Sequence, residues 1–149
     1  MVGSSAAKCI ETTRRVTDLF LASAGRFGGE QVELFDNVLE RLIKTIEQLA
    51  IVDISARMAL AEISAQLAPI AQAPPSVIRQ LAGNDEIRIA APVLRESARL
   101  GDDDLVELAG KKGEQHLLAI SARWWLKEIV TDALLSRSFP SVSRRIVSN

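Results

Sequence analysis

The chain has no tyrosine, a single cysteine, a single histidine and only 4% aromatic residues among 149. Strands of a β-sandwich draw on aromatic and β-branched side chains, so this scarcity, set beside abundant Ala, Leu and Ile, favours packed helices. Cys9 alone permits no internal disulfide and no cluster of soft metal ligands, which points to a reducing, cytoplasmic setting. No window reaches the roughly 18 apolar residues that span a bilayer, and the stretch up to Lys8 is too poor in apolar residues for a signal-peptide core. The mean hydropathy of +0.14 therefore reports burial and not a membrane. A surplus of charge is missing too. With 18 basic and 19 acidic residues the net charge is −1, so no global field draws the chain to nucleic acid or to anionic lipid. At 149 residues it is long enough to bury a core without disulfide or metal.

What is present is helical periodicity. Val16, Leu19, Phe20 and Ala24 recur at helical spacing over Thr12 to Ala24, and Gly25 stands where a left-handed cap closes a helix. Gly25 to Gly29 reads as a short loop anchored by Phe27. From Glu30 to Leu49 the residues Phe35, Val38, Leu39, Leu42, Ile43, Ile46 and Leu49 advance in threes and fours, and Glu40 with Lys44 forms an i,i+4 pair. A third helix is expected from Asp53 to Leu67, along Ala56, Leu60, Ile63, Leu67 and Ile70, with Asp53 or Ser55 as its cap. Pro74-Pro75 ends that run and sets a boundary near residue 73.

Beyond it the helices shorten, with turns at Gly83-Asn84, Gly101-Asp102, Gly110 to Gly113 and Phe139-Pro140. Ile78 to Gly83 and Leu105 to Gly110 share Leu-Ala-Gly at an offset of 27 residues. A third copy starts near Ile129, but no single offset aligns both of its halves. Pro92 interrupts an otherwise helical stretch and implies a kink or a restart. Asp102, Asp103 and Asp104 sit where a helix N-terminus favours carboxylates, a better account than a metal cluster because successive side chains diverge. Units of this kind bury their apolar faces only by stacking, so the expected architecture is an α-solenoid.

Catalytic sets are thin. His116 has Glu114 and Ser121 near it and suits a general base or a phosphoacceptor. The run His116 to Ser121 resembles a histidine-phosphotransfer pattern in its leucine and serine, yet lacks the lysine and glycine, and the 27-residue offset puts His116 opposite Ile89, a packing position. No nucleophile elbow, phosphate loop or His-Glu-x-x-His run occurs, so an enzyme, a cofactor and a catalytic metal are not expected. Trp124-Trp125 is the foremost partner-binding candidate, since two adjacent tryptophans on a short helix cannot face one core. Arg123 and Lys127 flank it, and with Arg137, Arg144 and Arg145 they make a basic gathering diluted by Glu128 and Asp132, which weighs against nucleic acid.

Three stretches carry a family resemblance: Leu81 to Ser97, Asp104 to Ala109 followed by Glu114 to Ser121, and Val130 to Leu134. They resemble the bacterial family called domain of unknown function 2336, over about residues 12 to 149. The resemblance implies HEAT-like helical repeats and no mechanism. Trp124-Trp125 departs from it, because the family tends to be polar there. Family members also tend to be longer, so a chain ending at Val147-Ser148-Asn149 is expected to be the N-terminal portion of a longer protein. The reading is all-α: a helical bundle at 1–73 continuing as one unit into a HEAT-like α-α superhelix at 74–149. Its expected function is non-enzymatic binding of a protein partner, with histidine phosphotransfer through His116 or nucleic-acid binding as alternatives. A homo-oligomer through the N-terminal helices is a further expectation, motivated by the apolar stripe from Phe35 to Leu49.

Overall fold

In the computed structural model, which describes residues 2–23 and 25–148, the chain is all-helical. Among the described residues the elements are α1 (Val2–Ala22), α2 (Gly29–Ala50), α3 (Ile54–Leu67), α4 (Pro75–Ala82), α5 (Ile87–Glu96), α6 (Asp102–Lys111), α7 (Glu114–Ser121), α8 (Glu128–Leu135) and α9 (Pro140–Ser148). Ala24 and Asn149, both used in the sequence reading, lie outside the described residues.

The first helix begins ten residues earlier than the apolar spacing indicates, and it buries a different stripe. Ala6, Ile10, Thr13, Thr17 and Phe20 face inward, while Leu19 is 62% exposed. The threonines fit a core because each hydroxyl donates to a carbonyl one turn back, Thr13 to Cys9 at 2.7 Å and Thr17 to Thr13 at 2.8 Å. Gly25 follows with φ +90°, a conformation that glycine adopts without a Cβ penalty. Phe20, Phe27 and Phe35 then close the α1–α2 corner, with ring centroids 5.0 to 5.8 Å apart.

Helix α2 matches its expected bounds within a residue, and Glu40 meets Lys44 at 3.4 Å. Its stripe of Leu39, Ile43 and Ile46 is fully buried against α1 and α3. Of the apolar positions from Phe35 to Leu49 these three are taken up within the chain, while Val38 remains 48% exposed. Asp53 caps α3 by accepting from the Ser55 N–H at 2.8 Å. Helix α4 starts at Pro75, where the missing N–H costs nothing. Pro74, at the cap position, has no side chain to offer the new helix. The cap comes instead from α2: Asp36, only 6% exposed, accepts from the Val77 N–H at 3.0 Å. Pro92 neither ends nor restarts α5, which runs through it from Ile87 to Glu96.

Helices α1, α2 and α3 pack mutually. From α4 onward successive helices pack as pairs, α4 with α5, α6 with α7 and α8 with α9. The second members form a row on α3, in the order α3, α5, α7, α9, while α2 packs on α4 and α6 on α8. Pair starts at Pro75, Asp102 and Glu128 are spaced by 27 and then 26 residues, and the second helices at Ile87, Glu114 and Pro140 repeat those spacings. The third copy, which resisted alignment by sequence, is thus in register once a single residue is dropped between the start of α7 and the start of α8. One apolar core extends from Ile10 to Val142, and it crosses Pro74-Pro75 without a break.

Candidate interaction surface

Short helices have a high proportion of open ends: each leaves four carbonyls without a partner in the helix, half of them in an eight-residue element. Here cations from the following unit close those ends. Lys112 donates to the Gly83 carbonyl at 2.6 Å and also meets Asp85 at 2.7 Å. Arg137 donates to the carbonyls of Ala109 and Lys112, at 2.8 and 2.7 Å, with its guanidinium 5.4 Å from the Phe139 ring centroid. Arg99 instead ties down the link between α3 and α4, reaching the Ala73 carbonyl at 2.7 Å. Arg123 is the most committed, donating to the Leu94 and Ser97 carbonyls at 2.6 Å each. Burial lowers its pKa and the nearby Asp102 charge opposes that, and a guanidinium stays protonated throughout.

These bonds fix the loop that carries the tryptophans. Helix α7 stops at Ser121 and α8 starts only at Glu128, so Trp124 and Trp125 lie in the connection and not on a short helix as the spacing suggested. Arg123 pins one side of that connection to the end of α5, and Lys127 pins the other through Asp102 at 3.0 Å. Leu126 tucks against the core, while Trp124 is 98% and Trp125 64% exposed, with Ile129 exposed beside them. The flanking residues Arg123 and Lys127 thus hold the loop, and the two indoles are left facing solvent.

His116 is placed differently. It is 6% exposed, and its Nε2 donates to the Asn84 carbonyl at 2.8 Å. Ile89, its counterpart one unit earlier, is equally enclosed. A phosphoacceptor must be reached by another protein's active site, and this imidazole is walled in, so its geometry is that of a structural side chain. Cys9 lies on α1, which packs on α2 and α3, whereas His116 is on α7. The aspartates at the start of α6 diverge: Asp102 goes to Lys127, Asp104 to Arg79 at 3.5 Å and to the Gly101 N–H at 3.1 Å. Among the described residues no three His, Cys, Asp or Glu side chains converge as a metal site.

Residues 89–149 match the family described as uncharacterised protein conserved in bacteria (DUF2336). That segment of the chain is similar to the DUF2336 family. It begins inside α5 and takes in α6 to α9, so it includes the tryptophan loop, His116, Arg123 and Arg137. The wider resemblance, from about residue 12, extends beyond the matched segment. No curated protein and no solved structure matches the chain.

Sequence reasoning missed the cations that close helix ends, although a trace of them is legible. Arg99 and Arg123 follow the ends of α5 and α7, and Lys112 and Arg137 follow the ends of α6 and α8. A basic residue recurring just past successive helices is the signal. Asp36 gave none, because its partner Val77 is 41 residues away.

Proposed function

We propose that this chain is a non-enzymatic protein-interaction module, a HEAT-like stack of helical pairs that holds Trp124 and Trp125 out to a partner protein in the cytoplasm. The observation that carries the reading is the 98% exposure of Trp124 on a loop anchored from both sides. Tryptophan concentrates binding energy when an interface desolvates it. A ring whose backbone is already fixed loses little further entropy on docking, which is how preorganisation raises affinity. An exposed tryptophan on a free loop would pay that cost at binding.

Stacked pairs suit such a role, since each unit contacts only its neighbours and the array presents a long surface. Among the described residues no helix is long and apolar enough to cross a membrane. The test is affinity capture from lysate with the chain and with a Trp124→Ala, Trp125→Ala double variant. The reading expects a partner captured by the first and lost by the second. Capture that survives the double substitution unchanged would remove the tryptophan loop from the account, and turnover that depends on His116 would overturn the non-enzymatic reading.

A further inference from the structure

A second surface lies in the row formed by α5, α7 and α9. One face of α5, through Ala91 and Arg95, and one face of α7, through Leu118 and Ala119 with Ala122 just past its end, wall a groove of about 320 Å³ that Arg145 of α9 also lines. Three of these residues are alanines, so the floor is apolar and shallow, and a helix laid on it approaches closely. The electrostatics are one-sided. No acidic side chain lines the groove, although the chain as a whole carries −1.

The groove between α4 and α6 makes the contrast plain. There Arg79, Lys111 and Lys112 face Asp104 and Glu107, and the charges are answered within the groove by contacts such as Arg79 to Asp104 at 3.5 Å. In the α5–α7–α9 groove, Arg95 and Arg145 are exposed and have no ion-pair or hydrogen-bond partner among the described residues. Two like charges sharing an apolar-floored groove repel, and an anionic ligand relieves both at once. Guanidinium favours carboxylate oxygens in a two-pronged arrangement.

We propose that this groove docks an acidic amphipathic helix of a partner protein, with its apolar face on Ala91, Ala119 and Ala122 and its carboxylates on Arg95 and Arg145. Helix-in-groove recognition uses this division of labour, apolar anchors on one stripe and charges at its edge. A nucleic acid fits less well, because phosphate tracking calls for a longer series of cations and gains nothing from an alanine floor. Ala122, which lines the groove, lies two residues before Trp124. The proposal rests on the interaction-module reading and names the partner's chemistry.

The experiment is a selection of phage-displayed random 16-residue peptides on the intact chain, scored for charge and for apolar spacing. Enriched peptides are then titrated against three proteins: the chain itself, an Arg95→Glu, Arg145→Glu variant, and the Trp124→Ala, Trp125→Ala variant. Both substituted pairs are exposed, and circular dichroism verifies their helices. The expected pool is net acidic with apolar residues at helical spacing. It is expected to bind the arginine variant at least about tenfold more weakly, since each charge-assisted bond lost is worth a tenfold change or more. A neutral, basic or empty pool overturns the proposal, as does a pool that binds the arginine variant as well as the parent. Peptides lost only on the tryptophan variant would sink the groove and leave the interaction-module reading standing, and tighter binding of single-stranded DNA than of any enriched peptide, lost in the arginine variant, would reassign the groove.

Discussion

The two ends of the molecule solve the same problem by different means. Up to residue 67 the helices are 14 to 22 residues long and are held by apolar burial, with Phe20, Leu39, Ile43, Ile46, Leu60 and Ile63 all enclosed. From Pro75 on they are 8 to 10 residues, too short to persist alone, and every pair depends on its neighbours. In that half a cation from the next unit repeatedly finishes a helix. The difference follows from geometry: a helix has the same number of open carbonyls whatever its length, so short helices concentrate them. Surface ion pairs do not account for it. Glu11 with Arg15 and Glu107 with Lys111 are exposed i,i+4 pairs, each worth about 0.3–0.5 kcal/mol.

The contrast is broken most severely at the apolar end. Phe20→Ala removes a ring that is 1% exposed, stacks on Phe27 and meets Phe35 edge-on, and it is expected to cost about 3–5 kcal/mol in denaturant unfolding. In the paired half the largest effect is expected from Arg123→Ala. It strips two short hydrogen bonds from the end of α5 and should cost about 2–3 kcal/mol, with amide exchange speeding up around residues 94–99 ahead of α1 and α2. Equal loss of protection everywhere would mean that the two halves do not differ in this way.

Asp36→Ala sharpens the comparison, because Asp36 is a polar bond inside the apolar half that serves the first short helix. Leaving the Val77 N–H without an acceptor is expected to cost about 1–3 kcal/mol, whereas Asp36→Asn keeps the acceptor and should cost less. The smallest effect concerns pH. The hydrogen bond and charge of Lys112 hold the Asp85 carboxyl below its ordinary value of 3.8. A depressed carboxylate contributes stability that is present above the unfolded value and is lost as pH falls through the folded one. Asp85→Asn should therefore flatten only the limb below about pH 4, and because Asp85 is fully exposed the change should be slight. Acid titration of the unfolding midpoint measures it.

Local signals were readable where a residue acts on its own helix. Glu30 to Leu49, the Asp53 cap, the glycine after α1 and the helix start at Pro75 all depend on neighbours a few residues away. The start of α1 was hidden because Thr13 and Thr17 look polar, and only their bonds to the preceding turn make them core residues. Asp36, Arg99, Lys112, Arg123 and Arg137 were hidden for the converse reason: each acts on a backbone group 25 or more residues away. Trp124-Trp125 was legible as a pair that one core cannot hold. That it lies in a pinned loop was not, since the pins are Arg123 and Lys127 acting on the preceding unit.

The two tryptophans are the only ones in the chain, so intrinsic fluorescence reports the candidate surface alone. Acrylamide quenching of that emission, in the free chain and in complex with its captured partner, tests the central claim directly. The account predicts ready access to both indoles in the free chain, greater at Trp124 than at Trp125, and strong protection in the complex. Indoles already shielded in the free chain, or equally quenched when the partner is bound, would contradict it.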